Sequence, residues 1–590
     1  MKRNAEKITV SAFSALFAAG AILMPWTGVN FYDISSYEAL STVGYFAVLV
    51  AAFVLIYLGS RLVDRPEYDR VVLLTTFMIY ALICAYQSNN VWFVAGECAV
   101  LFGVCRYFFS SGSLGEKPGL PNKLFYVLVA AAGIYFAVFV SVEEVCRYLT
   151  FSTPTYDFGI FSQMFYNMRR SFSPETTVER DRLLSHFAVH FSPIYYLWLP
   201  FYAVFPSPVT LMVCQAVTLA SGVVPIILIG KRLGFSKKSV LLFSLVYVFY
   251  PALAGGTFYD VHENKFLAPL LLWLIYFTER GSIAGTLIFS LGVCLVKEDA
   301  PIYVIFLMLF VVISKKGKRG RLTGLAALGL SAVYFAVVIA LMNRFGLGIM
   351  SGRFSNFTEG GGLADVVINV VKNPARVIYE IFSPEAGSGD VPKPVFILQT
   401  LLPLGMLPFM GKRPERLILV MPYLLVNLMP SYVYQHNIFF QYTYGAFALL
   451  LYASMLNYKD MSPRAGRTVG VFALCASLLF TANSVYKKAA YLDYYKAHGD
   501  EYREMREALD EIPDEASVFA TTFLCTELSG REELYDLNMS RTERRTDYVA
   551  VDLRYSENDE FFKQYQNDPA YEVIYYSDQA KLAIFKLIEK

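Results

Sequence analysis

PTYDFGIFSQMFYNMRRSFSPETTVERDRLLSHFAVHFSP, residues 154–193, interrupts a chain that is otherwise largely apolar. It carries Asp157, Gln163, Asn167, a charged run from Glu175 to Arg182, and two of the chain's five histidines, His186 and His190. Long connections in a compact protein are usually functional or disordered. The density of Phe and Tyr here argues against disorder. The stretch reads as a folded cap on a bundle of membrane helices.

The rest of the chain supports that reading. Of 590 residues, 56% are hydrophobic and 17% charged, against roughly 25% charged in soluble domains. Repeated apolar runs of near-spanning length then indicate a multi-pass membrane protein. A net charge of +2 gives no footprint for nucleic acid. Most of the eight cysteines (Cys84, Cys98, Cys105, Cys214, Cys294 and Cys475 among them) lie inside apolar runs. This placement fits packing, not a disulfide framework or a zinc site. The first apolar run follows Lys2, Arg3 and Lys7 and lacks a small-residue cleavage site, so it reads as an anchor.

About fifteen spans are expected: 8–27, 38–59, 70–87, 91–108, 124–145, 208–230, 240–257, 266–279, 283–296, 300–314, 322–343, 394–410, 417–430, 440–457 and 467–486. With this count the basic clusters at Lys231–Lys238, Lys315–Arg321, Lys412–Arg416 and Lys459–Arg467 fall on the side of the N-terminus, which the positive-inside rule places in the cytoplasm. The opposite side receives 146–191, 258–265, 297–299, 344–393, 432–439 and the C-terminal tail. Ser192-Pro193 and Ser207-Pro208 each resemble an N-cap followed by proline at the first helical position. Residues 193–205 therefore read as an aromatic helix lying in the interface, with a true span from 208.

The expected fold is an all-α polytopic membrane bundle with a small extracytoplasmic α/β domain at its C-terminus. Residues 1–123 form a four-helix extension. Residues 124–486 form the core, with outer loops 146–191 and 344–393, and 487–590 form the outer domain. Strand-like runs there are 517–523, 547–553, 571–578 and 582–587, with a turn and short strand at 529–537 and a helical pattern at 557–568. The localisation expected is the cytoplasmic (inner) membrane, N-terminus inside and C-terminal domain outside.

Asp157 follows a span directly. It can act as a general base, or it can simply cap the helix that follows. His186 and His190, four apart, would share a helix face. With Asp157 they could hold a divalent metal, although contact with an anionic ligand suits them better. Tyr156, Gln163 and Asn167 line the same stretch. The segment YDVHENKF (259–266) supplies His262 and Glu263, and VKED (296–299) supplies Lys297, Glu298 and Asp299. Ionisable residues at membrane depth are functional candidates by default. Lys297 could hold a phosphate, or could pair with Asp299 or Glu263.

YDFGIFSQMFYNM (156–168), SHFAVHFSPIYYLWLPFYAVFPSPVTLMVCQAV (185–217), FYDVHENKFLAPLLLWLIYF (258–277) and CLVKEDAPIYV (294–304) follow one another in order. So do TELSGREELYDL (526–537) and DYVAVDLR (547–554). Together they resemble a bacterial membrane family called domain of unknown function 2079, over roughly 124–590. That family is similar in architecture to the C-type glycosyltransferases (GT-C), which use polyprenyl-phosphate sugars. The resemblance implies that Asp157 occupies their acidic catalytic position, although Phe158 stands where many members carry a second acid. It further implies a lipid-linked sugar donor, an envelope glycan, lipid or protein as acceptor, surrounding membrane lipids, and either no cofactor or a divalent metal. Two other functions fit the same residues: a transporter or lipid flippase, and a non-catalytic lipid-binding envelope protein.

Overall fold

A computed structural model describes residues 2–588 except 30–38, 40, 89–119, 316, 349–350, 359–361, 383–390 and 487–488. The span expected at 91–108 lies outside the described residues. The fold is mostly helical, with a small sheet near the C-terminus.

Six helical stretches among the described residues are long and apolar enough to cross a membrane: Lys7–Thr27, Val43–Val63, Asn122–Leu149, Pro208–Leu233, Lys237–Phe258 and Lys318–Phe345. Two of them are broken. Pro208–Leu233 bends at Ser221 and Gly222, where the Tyr247 hydroxyl donates to the Leu219 carbonyl at 2.6 Å. Lys237–Phe258 breaks ahead of Pro251, whose ring cannot continue the preceding helix.

Helices Leu267–Arg280, Ile283–Cys294 and Pro301–Ser314 lie where spans were expected but have only 14, 12 and 14 residues. At 1.5 Å per residue they reach about 18–21 Å, short of a hydrocarbon core of about 30 Å. The 417–430 stretch is not an α-helix. It folds as a 3-10 segment, Pro414–Val420, followed by a π-type turn, Tyr423–Leu428. Helix Tyr444–Lys459 is buried from Tyr444 through Asn457. Wrapped in neighbours on every side, it forms the axis of the bundle.

The basic clusters gather at one end. Lys237 Nζ donates to the Leu120 carbonyl at 2.9 Å, and the Tyr458 hydroxyl lies 3.4 Å from Ser239 Oγ. Arg416 binds Asp460 at 2.6 Å, and Lys315 binds Glu279 at 2.8 Å. Asp157 lies beyond the other end of helix Asn122–Leu149, about 40 Å away along its axis.

The C-terminal sheet holds five strands in the order β4-β3-β5-β7-β6. These are β3 (Val518–Ala520), β4 (Leu534–Asp536), β5 (Tyr548–Asp552), β6 (Tyr571–Ser577) and β7 (Leu582–Leu587). β3 is parallel to β4 and β5, and β7 is antiparallel to β5 and β6. Side chains alternate across a strand, and the two faces have different fates. Val518, Ala520, Leu534, Ala550, Leu582 and Ile584 join the core of the helical bundle. Phe519, Tyr535, Val549, Val551 and Phe585 form a second core with Tyr565 of helix Asp559–Asn567. The sheet is thus a layer between that helix and the bundle.

A small antiparallel pair, β1 (Glu175–Thr176) with β2 (Leu184–Ser185), shapes the 154–193 cap. Residues 193–205 form a 3-10 turn, Pro193–Leu197, and a short helix, Leu199–Val204. One face packs inward through Tyr195, Trp198 and Tyr202, while Leu197, Phe201 and Phe205 face outward. Ser207 caps the following helix by accepting from Val209 N, with Pro208 at its first position.

The packing of the axial helix can be tested at Gly445. A Cβ there would lie 2.5–2.7 Å from three atoms of the Tyr303 ring, which is itself buried. Gly445→Ala should destabilise by about 1–3 kcal/mol through overpacking, read as a lower melting temperature in detergent. A melting temperature equal to wild type would show that Tyr303 can move aside.

Candidate functional site

The cap is built on helix Ile160–Ser171. Ile160, Phe161, Met164, Phe165 and Met168 point into the bundle. Phe161 sits among the rings of His186 (5.2 Å), Tyr195 (5.2 Å) and His262 (5.6 Å). The other buried side is polar and meets the C-terminal segment. Ser162 Oγ lies 2.7 Å from Ser529 Oγ, and Thr155 Oγ1 donates to the Thr522 carbonyl at 2.9 Å. Arg554 donates to the carbonyls of Thr150 and Phe151, both at 2.8 Å. Phe151 has φ +48°, a left-handed conformation that is uncommon for a side chain of this size. The two bonds from Arg554 fix it at the exit of helix Asn122–Leu149.

Asp157 lies in the π-type turn Thr155–Gly159 that follows. It does not cap a helix: Pro154 precedes the turn, and no side chain caps either this turn or the next helix. The Tyr259 hydroxyl lies near the Asp157 carboxyl and favours its charged form. Asp157 Oδ2 is sealed from solvent with no hydrogen-bond partner. Among the described residues Asp157 has no salt-bridge partner. Burial first, then the carboxylates of Asp260 and Glu263, push its pKa up to about 7.

The neighbouring acids are held. Glu263 Oε1 binds Lys297 Nζ at 2.9 Å, and its Oε2 accepts from the Tyr195 hydroxyl at 2.7 Å. His262 Nδ1 is 3.1 Å from the same Oε2. Asp260 meets Arg147 at 3.1 Å, and Arg147 is 3.7 Å from Glu144. His190 Nδ1 is 2.8 Å from Glu298 Oε1, and the Phe191 N–H donates to Oε2 at 3.2 Å. His186 Nδ1 is 3.0 Å from Glu179. Burial opposes a charge on the His186 ring, but the Glu179 carboxylate more than offsets this and raises its pKa. Asp299 is raised by burial and by Glu298, while Lys297 and Arg353 oppose the shift. Arg353 lies 5.0 Å from the rings of both Tyr432 and Tyr442 and donates to the Tyr442 hydroxyl at 3.3 Å.

Several expectations need correction. Gln163 faces no ligand space. Its Oε1 accepts from Thr176 Oγ1 (2.7 Å), Thr177 N (2.8 Å) and Val178 N (3.3 Å). Its Nε2 donates to Thr177 Oγ1 and to the carbonyls of Arg531 and Glu532, so the amide joins the cap to the C-terminal segment. Asn167 donates to the Glu175 carbonyl at 2.9 Å and steadies β1. Tyr156 is 51% exposed and lies outside the acid cluster. His186 and His190 are brought together, with rings 5.9 Å apart, by a 3-10 turn, His186–Ala188, and not by an α-helix face. Each binds its own glutamate, so they do not form a trio with Asp157. No group of three or more His, Cys, Asp or Glu with metal-site geometry is present among the described residues. Of the two phosphate-or-pair alternatives for Lys297, the pair with Glu263 is formed.

Sequence reading missed Tyr195, Tyr259, Glu144, Arg147 and Arg353. Only Glu144 and Arg147 left a signal, as charges inside the apolar run ending SVEEVCRYL (141–149). The tyrosines look like any other aromatics of a membrane protein.

Fold and site together define a helical membrane protein whose acid-rich cluster lies at one end, beneath a cap locked by a C-terminal sheet. The chain belongs to the family described as predicted membrane protein (DUF2079), whose model matches residues 147–580. No curated protein matches the chain.

Two measurements test the electrostatics. Lys297→Met strands the Glu263 charge and should cost about 3–5 kcal/mol, seen as a large fall in melting temperature that Lys297→Met/Glu263→Gln partly restores. A single variant as stable as wild type would contradict the pairing. The second measurement concerns Asp157, whose pKa is about 7 in the folded protein against its ordinary 3.8. The folded state keeps this proton where the unfolded chain has lost it. The associated stability is complete below pH 3.8 and lost as pH rises through about 7. Asp157→Asn should make the decline of melting temperature across that window shallower, with Asp260 supplying the remainder. An unchanged profile would mean that Asp157 titrates normally.

Proposed function

We propose that this protein transfers a sugar from a polyprenyl-phosphate donor to an envelope glycan, lipid or protein on the outer face of the cytoplasmic membrane. In this reading the core, 124–486, is of the GT-C kind, with the short helices counted among about fifteen crossings. Residues 1–123 are an added bundle and 487–590 an outer domain. The observation that carries the reading is Asp157: a carboxylate at the end of a span, with one sealed and unpartnered oxygen and a pKa near neutrality. A general base is most effective when its pKa lies near the working pH. Fold likeness to GT-C enzymes is an analogy and adds only direction.

The step is an inverting displacement. The acceptor oxygen forms a bond to the anomeric carbon, and the bond from that carbon to the phosphate oxygen breaks. Asp157 takes the acceptor's proton, and polyprenyl phosphate leaves with the bonding pair. Arg353, held against the rings of Tyr432 and Tyr442, is the cation assigned to the leaving phosphate in this reading. Its guanidinium can present parallel donors to phosphate oxygens. Closure of the cap over bound donor would exclude water and strengthen both interactions.

A transporter remains the second reading, favoured by the buried chain Glu144–Arg147–Asp260 running into the end of a span. The two separate in one assay, using purified protein with radiolabelled polyprenyl-phosphate sugars and an envelope extract. Wild type should transfer label, and Asp157→Asn should lower the rate by about 10²–10⁴ with donor binding retained. Equal rates for both proteins would remove Asp157 from the chemistry. Movement of label across proteoliposomes without transfer would favour transport.

A further inference from the structure

Beside the acid cluster lies a second polar group that the proposed chemistry does not use. It is formed by Gln399, Asn427, Gln435, His436, Gln441 and Thr443, all at most 7% exposed. Asn427 Nδ2 organises it by donating to the Gln435 carbonyl at 2.7 Å and the Tyr442 carbonyl at 3.2 Å. His436 packs edge-on to Phe396, one turn before Gln399 on helix Lys393–Leu401. The same loop reaches the acid cluster. The Phe440 ring lies 4.5 Å from that of Tyr259, the neighbour of Asp157, and Tyr442 receives the Arg353 bond.

Each of these six side chains has a buried polar atom without a protein partner: Gln399 Oε1, Asn427 Oδ1, Gln435 Oε1, His436 Nδ1, Gln441 Oε1 and Thr443 Oγ1. Native proteins leave few buried polar atoms unpaired, because a buried group that loses water without gaining a partner is destabilising. Four of the six are amide oxygens, which only accept, and a hydroxyl and an imidazole nitrogen can accept as well. Burial first, then Lys393, pushes the His436 pKa down to about 4, so its ring is neutral and one of its nitrogens is an acceptor. Apart from Lys393, which donates to the Glu380 carbonyl, the group itself carries no charge. All six can take a bond from a neutral donor. A ring bearing several hydroxyls suits them better than a phosphate, which brings acceptors, or an ammonium, which concentrates its donors at one point.

We propose that Gln399, Asn427, Gln435, His436, Gln441 and Thr443 form a carbohydrate subsite that binds sugar hydroxyls beside Asp157. The ligand class deepens the sugar-transfer reading and rests on it, although the atoms involved are separate from Asp157. A site of this kind is kept at the expense of stability, since an acceptor awaiting a ligand is unsatisfied in its absence.

The test uses the full chain in lipid nanodiscs with a panel of methyl glycosides (hexosides, N-acetylhexosaminides and pentosides), with methylphosphate and choline as controls. Saturation-transfer NMR should detect at least one glycoside on wild type. Gln435→Leu and Gln441→Leu should each weaken that binding tenfold or more while leaving the melting temperature equal or higher. No glycoside signal on wild type, a signal from choline or methylphosphate alone, or equal binding by both variants overturns the subsite. A clear fall in the melting temperature of both variants does so as well, because the amides would then be serving the fold. Glycoside binding lost in the glutamine variants while Asp157→Asn still transfers sugar would remove the catalytic assignment and keep the subsite. Transfer abolished by Asp157→Asn with glycoside binding indifferent to both glutamines would do the reverse.

Discussion

The ion pair between Glu263 and Lys297 pins the end of the bundle. Both side chains are sealed from solvent, and 2.9 Å separates them. Neither charge could stay in so dry a place alone. Glu263 also takes the Tyr195 hydroxyl, so one carboxylate ties the cap's exit, the 259–266 segment and the 297–299 turn together. The neighbouring bonds repeat the arrangement: Ile194 N–H donates to the Leu295 carbonyl at 3.0 Å, and His190 binds Glu298. Three segments distant in sequence are thereby fixed around the space in which Asp157 lies.

Within that frame, acids outnumber lysines and arginines. Glu144, Asp260 and Glu263 each have a cation within 4 Å, and Glu298 has a histidine. Asp157 has no cation bound to it among the described residues, and its Oδ2 is unpartnered. Its proton is therefore held by an unfavourable environment more than by any partner. Such an acid can give up or take a proton near neutral pH, which an ordinary surface aspartate cannot do.

Much of this architecture was legible from periodicity and punctuation. The Ser207-Pro208 cap, the long spans and the strands at 547–553, 571–578 and 582–587 all follow from local pattern. The cap was legible too, because a polar, aromatic stretch amid lipid-like sequence has few other uses. What local pattern cannot carry is partnership across the chain. Gln163 reads as a ligand contact only from its place in the polar stretch 154–193. Its partners are Thr176, Thr177 and Val178 nearby and the carbonyls of Arg531 and Glu532, more than 360 residues away. Tyr259 and Tyr195 had no distinguishing neighbours in sequence. The 417–430 stretch is apolar enough for a span, yet it folds as 3-10 and π-type turns: Pro414 and Pro422 punctuate it, and Asn427 turns its amide to the 435–442 loop.

The bonds from Thr155, Ser162 and Gln163 to residues 522–532 carry a consequence for how the protein is made. The cap emerges from the ribosome early, whereas its partners in the sheet emerge after almost all the helices. Until then the groups of Thr155, Ser162 and Gln163 that bind residues 522–532, and the Thr150 and Phe151 carbonyls that bind Arg554, lack those partners. Loop closure over such a separation is slow and precedes any reward. The bonds between cap and sheet therefore close late in synthesis. A chain whose sheet fails to form would leave this polar side of the cap uncovered, where quality-control proteases can reach it.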